Sequence, residues 1–128
     1  MTAAVLDASA LLALLNSEVG AAEVAEFVAA GARISTVNLS EIAARLTESG
    51  MPERQVRVVL QSLELDVVDF DEDLAYATGF MRATTRAAGL SLGDRACLAL
   101  AQHLGEAAVT ADRRWATLGL AIDIKLVR

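Results

Sequence analysis

The apolar positions of the 128-residue chain fall into short runs that alternate with helical stripes. The run from Ala3 to Leu6 predicts a strand, followed directly by a helix through Ala8–Leu15. A second helix, about Ala21 to Ala30, is closed by Gly31. Ile34–Val37 predicts a short strand, and Asn38 to Ser49 a helix that ends at Gly50. Pro52, the only proline, suits the first residue of the next helix. Beyond it Val56, Val59, Leu60 and Leu63 recur at the spacing of one helical face. Leu65–Phe70 is β-rich and predicts a third strand, and a long helix follows from Glu72 to Ala88, ended by Gly89. Leu92 to Leu104 predicts a helix that is apolar almost all round and therefore buried. Ala107–Thr110 and Ile122–Val127 supply a fourth and a fifth strand. Strands separated by helices need crossovers, so the order predicts one α/β domain over residues 1–128, with a mainly parallel sheet and helices on both faces. In such sheets ligands bind beyond the carboxyl ends of the strands.

Composition changes that picture in two ways. Hydrophobic residues make up 55% of the chain but aromatics only 4%, so the core is built from many small side chains pressed close together. The surplus apolar surface suits cover by a partner. No run approaches the ~18 apolar residues that span a bilayer. The stretch Ala3 to Leu15 lacks a basic leader and carries Asp7 in its middle, unlike a signal peptide. Cys97, the one cysteine, excludes an internal disulfide and a cysteine-rich zinc site. A cytoplasmic protein with no membrane segment is the expectation.

The formal net charge of -6, from 17 acidic and 11 basic residues, opposes a polyanionic substrate. Bound divalent cations reverse that sign locally. Every basic residue except Lys125 is also arginine, the better bidentate phosphate donor.

Four acids carry the candidate chemistry. Asp7 ends the first strand, Glu41 opens the helix after the second, Asp94 opens the buried helix and Asp112 stands just past the fourth strand. Each has an ordinary explanation. Asp7 and Asp112 suit helix N-caps. Asn38-Leu39-Ser40-Glu41 and Ser91-Leu92-Gly93-Asp94 both read as capping boxes. Caps do not need apolar flanks, however, and three of these acids sit in AVLDASALLAL, VNLSEIAARL and LSLGDRACLALA. Carboxylates gathered on one rim repel and raise each other's pKa unless a cation neutralises them. Oxygen ligands without His or Cys select Mg²⁺, with Mn²⁺ as a substitute, over zinc. Such an ion polarises a phosphoryl oxygen, lowers the pKa of water and steadies the leaving oxygen, so phosphodiester hydrolysis is the expected reaction.

Val5-Leu6-Asp7-Ala8-Ser9-Ala10-Leu11, Asn38-Leu39-Ser40-Glu41, Ser91-Leu92-Gly93-Asp94-Arg95-Ala96 and Thr110-Ala111-Asp112 resemble, in order and spacing, the PIN-domain signature. More narrowly the chain resembles VapC, the toxin of bacterial toxin–antitoxin pairs, from Asp7 to Trp115. The resemblance implies an α/β/α sandwich and a Mg²⁺-dependent endoribonuclease acting on RNA. It also implies a homodimer and a cognate VapB-like antitoxin whose tail blocks the active site. It carries over Asp7, Glu41, Asp94 and Asp112 as the catalytic and metal-binding quartet, with Ser9 and Thr110 as supporting hydroxyls. A further acid that some relatives place after the last is absent, since Arg113, Arg114, Trp115 and Ala116 follow Asp112, so a second metal would be weakly held.

Several residues keep two readings. Ser9 is a hydrogen-bond partner to the site or a first-turn serine. Asn38 caps its helix or serves the site, with capping favoured. Arg95, Arg113 and Arg114 contact RNA phosphates or lie solvated at the surface. Trp115 stacks on a base or, the favoured reading, packs on the core. His103 reads as a residue of a helix C-terminus and Cys97 as core packing. Asp71, Glu72 and Asp73 suit a helix N-terminus. Tyr76, Phe80, Ala83 and Ala87 add a second apolar stripe to a helix already carrying Leu74, Ala77 and Met81, either for a partner or between two core layers.

Rival classes also stand. A receiver-like signalling module would use Lys125 and an acidic metal pocket, but only Asp7 matches its paired acids. An aspartyl phosphatase wants a second acid where Ser9 stands. An inactive PIN-like binding subunit would use the acids only as caps.

Overall fold

The computed structural model describes residues 3–128. Its centre is a five-stranded sheet, β1 (Ala4–Leu6), β2 (Arg33–Ser35), β3 (Asp66–Val68), β4 (Ala107–Thr110) and β5 (Ile124–Leu126), in the spatial order β3-β2-β1-β4-β5. Every pairing is parallel. The chain moves outward from β1 through β2 to β3, then returns to lay β4 on the other side of β1. Right-handed crossovers place helices on one face while the chain moves one way and on the opposite face once it reverses. Accordingly α1 (Ala8–Leu15), α2 (Ala21–Ala29), α3 (Thr36–Glu48) and α4 (Glu53–Ser62) cover one face. The second face is covered by α5 (Glu72–Phe80), α6 (Arg82–Thr85) and α7 (Leu92–Leu104). The result is an α/β/α sandwich.

Alternation along the strands feeds both layers. Leu6 and Val109 join Leu11, Val24, Phe27, Ile34 and Ile42 on the first face. Val5 and Ala108, one residue away on the same strands, join Leu74, Leu90, Leu98, Leu100 and Trp115 on the other. A strand buried on both faces must be apolar at every position, which is how Ala4, Val5 and Leu6 read. Helix α7 is buried from Ala96 to Ala101, as its all-round apolarity predicts, and Cys97 is core. Trp115 packs inside the second layer, and His103 is exposed near the end of α7.

Four local expectations need correction. The strand expected over Ile34–Val37 ends at Ser35, because the Ser35 hydroxyl accepts from the Val37 N–H at 3.1 Å and starts α3 two residues earlier than expected. Asn38 is therefore inside the helix and caps nothing. Pro52 precedes α4 as its cap residue instead of being its first helical residue. The long helix expected over Glu72 to Ala88 breaks at Met81 into α5, α6 and a 3-10 turn over Arg86–Ala88. No proline causes the break. Thr84 and Thr85 both return their hydroxyls to the Met81 carbonyl, at 3.1 and 2.8 Å, and such back-bonding bends helices. Finally β3 and β5 are shorter than Leu65–Phe70 and Ile122–Val127, as edge strands often are.

Among the described residues, no helix is long and apolar enough to cross a membrane.

Candidate active site

The order of the strands reverses between β1 and β4, and in open parallel sheets the crevice at such a point is where ligands bind. Asp7 follows β1 there and is only 2% exposed. Its carboxylate caps α1, with Oδ1 accepting from the Ala10 N–H at 2.8 Å. Thr110, the last residue of β4, donates to Oδ2 at 2.6 Å, and Ser9 donates from 2.8 Å to Oδ1. Each hydroxyl has one proton and gives it to Asp7, so the 3.2 Å approach of Ser9 to Thr110 is a contact and not a third bond. The same two oxygens accept in turn, Ser9 from the Ala111 N–H and Thr110 from the Asp112 N–H, both at 3.0 Å. This network locks the loop after β4 to the start of α1.

Burial pushes the Asp7 pKa up from 3.8 to about 6, against the pull of its three hydrogen bonds, and the charge of Asp94 adds to the rise. Glu41 lies one turn inside α3, not at its start, because Ser35 is the cap. Its pKa is also raised, first by partial burial and then by Asp94, while a hydrogen bond from Asn38 opposes the shift. Asp94 belongs to a capping box at the head of α7: the Ser91 hydroxyl accepts from the Asp94 N–H, and the Asp94 carboxylate accepts from the Ser91 N–H. The Cys97 thiol, one turn deeper in α7, is pushed up by burial and then by the charges of Asp7, Asp94 and Glu41. Those three acids therefore share one field.

Asp112 joins them through Arg114. This guanidinium pairs with Asp112 at 2.6 Å and with Asp94 at 3.7 Å, and Nη1 donates to the carbonyls of Ala88 and Gly89. The Arg114 guanidinium holds the Asp112 carboxyl below its ordinary range. Asp112 also caps the 3-10 turn over Arg113–Thr117. Capping and convergence thus coexist: Asp7, Asp94 and Asp112 each tie up a chain start, yet all stand on one rim. Among the described residues no three His, Cys, Asp or Glu side chains stand close enough to enclose an ion as they are.

The candidate arginines divide. Arg113 and Arg114 are exposed beside Asp112. Arg95 is drawn the other way, across to α5, where its Nη1 donates to the Thr78 carbonyl at 3.0 Å. A surface groove between α3 and α4 is lined by Leu39, Ala43, Val56 and Leu60 and includes none of the four acids.

Two residues at the rim take partners that the sequence did not assign to them. Arg114 is adjacent in sequence to another arginine, and nothing in that pair signals which one turns back to the acids. Asn38 carries a legible clue, the three-residue spacing to Glu41 on one helix, but a wrongly placed cap conceals it.

The PIN domain family model matches residues 4–119. The chain belongs to the PIN-domain family. Among solved structures it is similar to the DNA-bound VapBC complex of Salmonella typhimurium, with 25% identity, all of both chains covered and a TM-score of 0.76. It is also similar to VapBC2 of Rickettsia felis bound to a promoter DNA fragment, with 16% identity over 97% of this chain and 98% of that one, at a TM-score of 0.75. VapC20 of Mycobacterium tuberculosis, a toxin that cleaves the sarcin–ricin loop, matches at 17% identity over 92% and 96%, with a TM-score of 0.74. No curated protein sequence matches the chain. PIN domains of the VapC type are nucleases, and PIN nucleases generally depend on divalent metals. For a PIN domain the receiver reading falls, and with it the receiver-type use of Lys125.

Proposed function

We propose that the chain is a Mg²⁺-dependent endoribonuclease that hydrolyses RNA phosphodiester bonds, acting as the toxin of a VapBC-type pair. The observation that supports this most is the shared field of Asp7, Glu41 and Asp94 at the crevice between β1 and β4, built from oxygen donors alone. A buried carboxylate whose proton is held up to about pH 6 gains from a cation near it. Magnesium takes oxygen donors and keeps several of its own waters, so the acids of the rim need not enclose it completely. Zinc would want nitrogen or sulfur ligands that the rim does not offer.

In this reading Asp7, Glu41, Asp94 and Asp112 hold the ion, or Mn²⁺ in its place. The bound metal supplies a Lewis acid and a lowered water pKa. Ser9 and Thr110 fix the Asp7 carboxylate in one orientation, leaving little of its accepting capacity for anything but a ligand from the rim. Arg113 and Arg114, exposed beside Asp112, meet the phosphates of the strand. Arg114 does so after exchanging its carboxylate partners for phosphate oxygens. A VapB-like antitoxin is the partner that the VapBC complexes support. The exposed aromatic pair Tyr76 and Phe80 on α5 suits cover by a partner, a second copy in a homodimer or the antitoxin.

The test is RNA cleavage by purified protein in Mg²⁺ and in EDTA, with a single-stranded DNA of the same sequence as control. The parent is expected to cut RNA only with metal, and Asp94→Asn to lose cutting while keeping its far-UV circular dichroism. Undiminished cutting by Asp94→Asn, or none by the parent freed of antitoxin, would overturn the reading.

A further inference from the structure

Asn38 is 1% exposed and spends both amide protons across two helices. Its Nδ2 donates to Glu41 Oε1 at 2.8 Å, one turn along α3, and to the Gly93 carbonyl at 3.0 Å, in the first turn of α7. The opposite amide orientation would put Oδ1 against two acceptors, so the assignment is fixed by its neighbours. In the orientation observed, Oδ1 is buried without a partner. A purely structural polar residue would be expected to satisfy its own acceptor, and this one leaves it orphaned while serving Glu41.

Gly93 makes the second half of the arrangement. A methyl group added there would fall 2.2 Å from Glu41 Oε1 and 2.4 Å from both Cδ and Oε2. The carboxylate thus occupies the space a side chain would fill. Glycine is a poor choice inside a helix, where alanine is favoured, and the conformation here does not require it. Two locally unfavourable choices, a buried asparagine with an orphan oxygen and a helical glycine, converge on one carboxylate. Among the described residues no hydrogen bond reaches Glu41 Oε2, which stays available.

We propose that Asn38 and Gly93 form a seat that fixes the Glu41 carboxylate over the head of α7, beside Asp94, and so presents it to a divalent cation. Both are positioning residues. The inference rests on Glu41 being a metal ligand, as proposed above. Without the seat Glu41 retains its charge but samples several rotamers, and a hard cation loses a pre-oriented oxygen. Partners behind metal ligands typically alter metal affinity by about 10–100-fold.

The experiment is Mn²⁺ titration of chelator-stripped full-length protein, reading free Mn²⁺ by electron paramagnetic resonance, with the metal-free Tm recorded alongside. Glu41→Gln is expected to weaken Mn²⁺ binding strongly. Asn38→Ala and Gly93→Ala are each expected to weaken it by about tenfold. Asn38→Ala on the Glu41→Gln background is expected to add less than about twofold, because two residues acting through one group are not additive. Gly93→Ala separates seat from scaffold. Alanine favours the helix, and the three atoms nearest its methyl all belong to the movable end of Glu41, so the metal-free Tm is expected to hold while Mn²⁺ affinity falls. Weak binding by Glu41→Gln with parental binding by both Asn38→Ala and Gly93→Ala would overturn the seat alone. The same factor for Asn38→Ala with and without Glu41 would do likewise. Parental binding by Glu41→Gln would overturn both the seat and the metal role of Glu41.

Discussion

Asp7 is held by three donors and still keeps its proton up to about pH 6, which measures how little water reaches it. That shift has a sign. Between pH 3.8 and about 6 the metal-free native state binds a proton that the unfolded chain has released. Stability therefore falls as pH rises through that window and levels above it, by at most roughly 3 kcal/mol. Asp7→Asn removes this term while keeping an acceptor for the Ala10 N–H. Glu41 is shifted the same way and Asp112 the opposite way, so the quantity to measure is the difference between parent and variant. Urea denaturation in EDTA at pH 4, 5, 6 and 7 is expected to show the variant gaining on the parent across the window. A constant difference would mean that Asp7 titrates normally. Asp7 was legible as a site residue from its place at the close of the first strand, and Thr110 only through the resemblance to the PIN-domain signature. Arg114 was legible as a phosphate-contact candidate, but its turn back to Asp112 and Asp94 was not, since that depends on a 3-10 turn that no periodicity announces.

At the scale of elements, α7 carries the most. Seven of its residues are buried, it supplies Asp94 at its head, and it packs against β1, β4, α3 and α5. Its sequence announces all this: apolar residues all round, Ser91 to start it and Gly105 to end it in the left-handed conformation. A truncation in its middle should disturb both the core and the rim. Leu98→Ala, at a fully buried site, is expected to lower unfolding free energy by about 2–5 kcal/mol in urea, the usual range for a cavity of that size. A loss under about 1 kcal/mol would imply that the layers collapse into the gap. Helix α5 illustrates the opposite case. Its apolar pattern runs on past Met81, but the helix breaks there, where two threonine hydroxyls crowd the Met81 carbonyl beside the Thr85 N–H. Periodicity reports which face is buried and is silent about such local competition.

For the whole molecule, the acidic rim sets the balance between stability and metal binding. Carboxylates that repel in the metal-free state are a cost that a cation relieves, so Mg²⁺ should stabilise the fold by mass action. At about a hundredfold excess over Kd the gain is roughly 2.7 kcal/mol, a rise of about 10 degrees in Tm for a chain of this length. Differential scanning fluorimetry is expected to show that rise in the parent and a smaller one in Asp94→Asn, whose metal-free Tm should equal or exceed the parent's. Equal responses to the metal in both proteins would count against a site shared by these acids.

The order of elements, the buried character of β1 and α7, and the apolar setting of the acids are properties of the sequence alone. They follow from side-chain periodicity and from the rule that parallel strands need helical crossovers. Which strands become neighbours is a different matter. Only the folded sheet puts β4 beside β1, bringing Thr110 to Asp7 across more than a hundred residues. The pairing of β2 with β3 over Arg33–Ser35 was likewise decided by tertiary structure. So was the meeting of Asn38, Glu41 and Gly93, which needs two helices from different parts of the chain to cross within a hydrogen bond's reach. Local patterns fix which groups are polar and where each element buries its face. Long-range packing alone fixes the distances that make those groups act together.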